Sequence, residues 1–139
     1  MKKRFVSILI IVVLLMTQNS VTAFALDQNP IDEESKSAYY TSAYANLSIS
    51  ASGVATTKGI VVGKPNNTTK IVIHLYLQKY SGGKWNTYKD WTGEKKSHTY
   101  TFSKNPSVGH GKYRTKAICT VYSGAAYEKV TKYSGTVSY

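Results

Sequence analysis

Between Thr69 and Lys79 apolar and polar side chains alternate without a break. Ile71, Ile73, Leu75 and Leu77 fall on one side of an extended chain, and Val72, His74, Tyr76 and Gln78 on the other. Side chains of a strand alternate faces with a period of two, whereas a helix needs a period near 3.6, so this segment reads as a strand with one greasy face. A sheet with one apolar face has to cover it. In a chain without a convincing helical period anywhere past Tyr44, the cover must be a second sheet.

The rest of the chain follows the same grammar. Ala45, Leu47, Ile49 and Ala51 alternate with polar residues and give a first strand, ended by Gly53. A second runs from Thr57 to Val62 and closes at Gly63–Asn67. After the Thr69–Lys79 strand, Ser81-Gly82-Gly83-Lys84 is a hairpin turn, because glycine reaches positive φ without a steric penalty. Trp85 to Thr92 then returns antiparallel, His98 to Phe102 is a short fifth strand, Lys112 to Tyr122 a sixth, and Lys129 to Tyr139 a last. Tyr113, Ala117, Cys119 and Val121 share the sixth strand's inner face. Short strands spaced by turn signals predict an all-β, antiparallel, seven-stranded β-sandwich over residues 44–139.

What precedes the sandwich has a different texture. Met1-Lys2-Lys3-Arg4 is a positive head, Ile8 to Met16 an uncharged apolar run, and Ala23-Phe24-Ala25 a small-x-small cleavage site. That order reads as a secretory signal peptide over residues 1–25, with cleavage near Ala25-Leu26 and a secreted, extracellular product. The apolar run is shorter than the about 20 residues a membrane-spanning helix needs, so no integral membrane association is expected after cleavage. Residues 26–43 are acidic and lack apolar periodicity, and read as a flexible leader. Cys119 is the single cysteine, so no intramolecular disulfide can form, and the domain must stand on packing and hydrogen bonds.

One stretch carries a resemblance. Gly109-His110-Gly111-Lys112-Tyr113-Arg114-Thr115-Lys116-Ala117 resembles the sixth strand of immunoglobulin-like and fibronectin-III-like domains. In those folds a tyrosine at the strand entry bonds back to its own loop, and Tyr113 matches that position. The cysteine that antibody domains carry two residues later is Thr115 here, which favours the disulfide-free branch. Leu75-Tyr76-Leu77-Gln78-Lys79, Gly83-Lys84-Trp85, Trp91 and Gly111-Lys112-Tyr113-Arg114 are also similar to small exported β-sandwich proteins of Gram-positive bacteria. The resemblance implies an immunoglobulin/fibronectin-III-like fold and no particular activity.

The residues themselves offer little catalytic chemistry. From Thr41 onward the acids are Asp90, Glu94 and Glu128, and no two are spaced as a general acid and base. His74, His98 and His110 lack metal-ligand spacing, and no Gly-x-Ser-x-Gly elbow occurs. We therefore expect a non-catalytic protein with no cofactor and no metal. Charge points instead to binding. The body from Thr41 carries 14 Lys/Arg against three acids, and a field of that sign draws anionic partners.

If the third and sixth strands are neighbours, as in the resembling folds, their outward residues form one surface. His74, Tyr76 and Gln78 come from one strand, and Arg114, Lys116 and Tyr122 from the other. Trp85 and Trp91 have the same parity and should face the same way, with at least one expected in the core; if both point inward, Tyr88 joins the outer face. Tyrosine stacks on sugars and cations neutralise phosphate or carboxylate, so the strip suits an anionic cell-wall polymer, a glycan or an extracellular protein partner. Nucleic acid is not expected, because export removes the usual targets and no RNA-binding motif is present. The same residues also serve the fold without any ligand: Tyr and Thr are strand formers, and exposed Lys blunts sheet edges. A second functional class is a small secreted bacteriocin-like or toxin-like effector.

Overall fold

The alternation at Thr69–Lys79 becomes the central strand of the larger of two sheets. The structure is a computed structural model that describes residues 37–139; the expected signal segment and residues 26–36 of the expected leader lie outside the described residues. In chain order the strands are β1 (Tyr40–Ile49), β2 (Ala55–Gly63), β3 (Lys70–Ser81), β4 (Lys84–Lys95), β5 (Thr99–Lys104), β6 (Lys112–Ser123), β7 (Ala126–Tyr133) and β8 (Val137–Ser138). One sheet runs β1-β2-β5; the other runs β4-β3-β6-β7, with β8 also paired to β6. Every pairing is antiparallel. There is no helix among the described residues.

The expected last strand is two. Along β6, β7 pairs with Lys116–Ser123 and β8 with Lys112 and Tyr113. Between them Ser134 replaces one regular rung: its N–H donates to the Thr115 carbonyl at 2.9 Å, and its Oγ accepts from the Thr115 N–H at 2.7 Å. A side-chain oxygen there satisfies the ladder donor, and the regular pairing lapses over Ser134–Thr136. Nothing in the residue pattern of Lys129–Tyr139 marks this break.

The start also differs. β1 begins at Tyr40 rather than near Tyr44, so residues 40–43, assigned to the flexible leader, are strand, and Ala43 is buried. Ahead of the strand, Ser37–Tyr39 are held by one carboxylate. Glu128 of β7 accepts from Ser37 Oγ, from the Ala38 N–H at 2.9 Å and from the Tyr39 N–H at 3.1 Å. Lys64 Nζ donates to the Ser37 carbonyl at 2.7 Å. Burial alone would raise the Glu128 pKa; the three hydrogen bonds and the Lys64 charge outweigh it and hold the carboxyl below its ordinary value.

The core lies between the inner faces. Ile71, Ile73, Leu75 and Leu77 of β3 and Tyr113, Ala117, Cys119 and Val121 of β6 are fully buried against Ala43, Leu47, Ala55 and Val61 of the smaller sheet. Each large aliphatic buried this way contributes about 1.5–3 kcal/mol. Tyr113 is buried to the ring, and its hydroxyl donates to the Gly109 carbonyl at 3.0 Å, tying the strand entry to the loop before it. Two hydroxyls cross the core: Thr57 Oγ1 and Thr115 Oγ1 lie 2.6 Å apart, both fully buried.

Cys119 sits fully buried in this core, and burial pushes its thiol up to about 12, with Lys132 lowering it only in part. The thiolate is the reactive form, so the native thiol is inert. Thiol titration with an aromatic disulfide reagent near neutral pH is expected to find no reactive cysteine in the folded protein and one after denaturation. Rapid modification of the folded chain would contradict this packing.

Candidate functional site: a cation–aromatic sheet face

β3 and β6 are neighbours, so the expected surface forms. Rung by rung, Gln78 stands beside Arg114, Tyr76 beside Lys116, His74 beside Ile118, and Lys70 beside Tyr122. Because the inner residues of both strands are buried, these partners must point outward. His74, Tyr76, Arg114, Lys116 and Tyr122 are all partly exposed; Gln78 is the most covered, beneath the Arg114 side chain that it bonds.

Tyr88 does not join them. The pairing of β3 with β4 slips by one residue: Leu77 faces Lys89 and Gln78 faces Thr87, which leaves Tyr88 as the extra residue of a bulge. A bulge reverses the parity of every later side chain relative to a regular strand. Tyr88 therefore turns toward the core side and meets the buried Tyr113 ring edge-on, 5.8 Å between centroids. It lines a shallow hollow beside the hairpin with Lys79, Lys84 and Asn86. The two tryptophans, expected to face the same way, end on opposite sides. Trp91 packs on the core; Trp85 lies on the outer face, edge-on to Tyr80 at 5.3 Å. Nothing in the sequence announces the bulge, which is a property of the pairing and not of either strand alone.

Trp85 matters because of what it holds. The Arg114 guanidinium carbon is 4.4 Å from the Trp85 ring centroid and 4.4 Å from that of Tyr133, a β7 residue placed beside Lys116. Its Nε donates to Gln78 Oε1 at 2.8 Å. Two rings and one hydrogen bond thus fix the plane of the guanidinium, and its two terminal amino groups carry the remaining donors. On either side along β6, Lys116 Nζ lies 5.4 Å from the Tyr76 centroid and Lys112 Nζ 5.6 Å from that of Tyr80. Lys112 shares the parity of Arg114 and Lys116, so this third cation was readable from the alternation; Trp85 and Tyr133 were not.

Beside the cations is a polar chain. His74 Nε2 and Asp90 Oδ1 are 3.0 Å apart, and the Tyr76 hydroxyl is 2.9 Å from His74 Nδ1. A carboxylate only accepts, so Nε2 carries the proton, and in the neutral ring Nδ1 accepts from Tyr76. The His74 and Asp90 side chains are 34% and 52% exposed on an open strand face. Water screens such a pair, and its effect is to orient His74 and Tyr76 (rings 4.1 Å apart) rather than to store energy. It is the one ion pair among the described residues, so Lys112, Arg114 and Lys116 have no acidic partner there.

Tyr122 belongs to the same face but to its far end. Eight residues along β6 separate it from Arg114, roughly 27 Å of strand. Lys70 Nζ sits 4.4 Å from its ring centroid, and the exposed Tyr127 ring lies 5.7 Å away. The face therefore holds two cation–aromatic clusters, the larger around Arg114.

The chain matches no protein-family model, no curated protein and no solved structure.

Proposed function

We propose that this is a secreted, non-catalytic β-sandwich module of the immunoglobulin/fibronectin-III type that binds an anionic cell-surface polymer through the outer face of β3 and β6. The type is supported by the order of strands, with β1-β2-β5 against β4-β3-β6-β7, and by the Tyr113–Gly109 bond at the strand entry. Thr115 and Thr57 stand where an antibody domain would carry its inter-sheet cysteine pair.

The observation that carries the function is Arg114. An exposed arginine ordinarily loses about 2 kcal/mol of rotamer entropy when it is fixed to a ligand. Here Trp85, Tyr133 and Gln78 have already fixed it, with two unpaired cations on its own strand beside it. A preorganised planar donor between ammonium groups suits phosphate or carboxylate oxygens.

The test is retention on bacterial cell-wall sacculi at low and at high salt. Binding by exposed charges weakens as salt screens it, so retention is expected to fall steeply between 0.05 and 0.5 M, about the range over which the Debye length shrinks well below the face's own dimensions. The double substitution R114E/K116E is expected to abolish low-salt retention; the midpoint should fall somewhat, because Arg114 loses its contacts to Trp85, Tyr133 and Gln78, but the fold should persist, because neither side chain is in the core. Retention that survives both changes would overturn the reading.

A further inference from the structure

Two features of the Arg114 cluster narrow the polymer, on the reading that this face binds an anionic one. The first is spacing. Lys112, Arg114 and Lys116 stand at every second residue of one strand, so their Cα atoms repeat at ~6.8 Å. Between alternate Cα atoms the backbone runs through two Cα–C–N–Cα peptide units, six bonds in all. A polymer of phosphates joined through three-carbon polyol units makes the same number of bond steps between successive phosphorus atoms: out through oxygen, along three carbons, and back through oxygen. An extended strand of that kind can set one phosphate against each cation in turn. In a glycan with one carboxylate per disaccharide, two whole sugar rings separate the charges, a longer repeat that falls out of step with the ~6.8 Å row of cations.

The second feature is how the rings are used. Protein aromatics bind sugars and bases by offering a free face. Here Trp85 and Tyr133 each turn a face to the Arg114 guanidinium. Tyr76 lies against both His74 and Lys116, and Tyr80 meets Trp85 and Lys112. The rings hold the cations in place and are not arrayed as a stacking platform. A ligand whose affinity comes from stacked pyranoses or bases gains little from them; a ligand that offers only phosphate oxygens gains everything the cluster has.

We infer that the row Lys112–Arg114–Lys116 is a register for an extended poly(glycerol phosphate)-type chain, with consecutive phosphates meeting consecutive cations. Single-stranded nucleic acid shares the bond count between phosphates, and the two are separated by the rings, because each of these rings already gives one face to a cation, which leaves bases less to stack on.

The experiment is titration calorimetry or fluorescence polarisation of the protein with three probes of equal charge number: a glycerol phosphate oligomer, a hyaluronan-type oligosaccharide and an oligothymidylate. The glycerol phosphate oligomer is expected to bind at least about tenfold more tightly than either alternative, a preference of about 1.4 kcal/mol. The salt slope of log K should become shallower with each cation removed in K112Q, R114Q and K116Q, as counterion release requires. R114K, which keeps the charge and loses the planar fork, is expected to lose affinity with little change in slope. Equal or tighter binding of the disaccharide polymer overturns the register while leaving an anion-binding face. Tighter binding of the oligothymidylate overturns the assignment of the rings. Failure of all three probes, in a chain still retained on sacculi, overturns this inference alone; failure together with loss of retention removes the proposed function as well.

Discussion

Gly59→Val is expected to leave the domain largely unfolded at temperatures where the parent chain is native. Gly59 lies in β2 on the face turned to the larger sheet, opposite Ala45 on one side and Phe102 on the other. A Cβ placed on it would come within 2.7 Å of Ile73 Cγ2 and 3.1 Å of Leu75 Cδ2, with the Ala117 Cβ at 3.5 Å. All three neighbours are fully buried residues of the central strands, so none can swing aside into water. The glycine is there for space, since its φ lies outside the left-handed range. Overpacking a rigid core costs about 1–3 kcal/mol for one methyl, and valine adds two more. Gly59→Ala is the informative intermediate. In a domain of this size each kcal/mol lowers the midpoint by about 4–8 °C. Adding Ile73→Ala removes the nearest clashing methyl, so the double variant G59A/I73A should be more stable than the sum of the two single losses predicts. Strict additivity, or a Gly59→Ala midpoint equal to the parent's, would mean that the sheets do not meet at this distance.

Alternation along one strand reveals which side it buries, and not how it pairs with its neighbour. The inner sets of β3 and β6 were legible because each strand runs long enough for the period of two to stand clear, and the neighbour relation of those strands followed from the resemblance carried by Tyr113. The outer face came with them, since parity alone assigns Arg114 and Lys116 opposite to Tyr113 and Ala117. What failed was what depends on a second strand. The Tyr88 bulge exists only in the register between β3 and β4, so parity counted from Trp91 put Trp85 on the wrong side. The break at Ser134 exists only because its side chain meets the Thr115 N–H. Tyr40–Ala43 went unread as strand because their partners, Val61 to Gly63, lie across a turn and supply the pairing that four residues of mixed polarity do not announce. The site was thus half legible: its cations were visible along one strand, and the rings that orient them come from β4 and β7.

Thr57 and Thr115 give the sharpest test of how the two sheets are joined. Their hydroxyls are each other's partner, 2.6 Å apart and sealed from water. Replacing either one with valine is nearly isosteric but leaves the other hydroxyl buried without a bond, which costs about 1–3 kcal/mol. Replacing both removes two polar groups together, and T57V/T115V is expected to return to the parent's stability or exceed it. The coupling between the sites should therefore be about as large as the two single losses added together, and of opposite sign. Cysteine at both positions makes the complementary experiment. Side chains that already touch across the core are placed to close a bridge, and a loop of this length would stabilise the oxidised chain by about 4 kcal/mol on the chain-entropy account, provided the bridge forms without strain. Cys119, buried and unreactive, should remain outside that bridge. Chemical denaturation of the five chains, with the cysteine pair measured oxidised and reduced, separates the outcomes. Additive losses in the valine cycle would mean that each hydroxyl has another partner, and a cysteine pair that closes no bridge even when refolded under oxidant would mean that the two Cβ atoms do not stand within bridging reach.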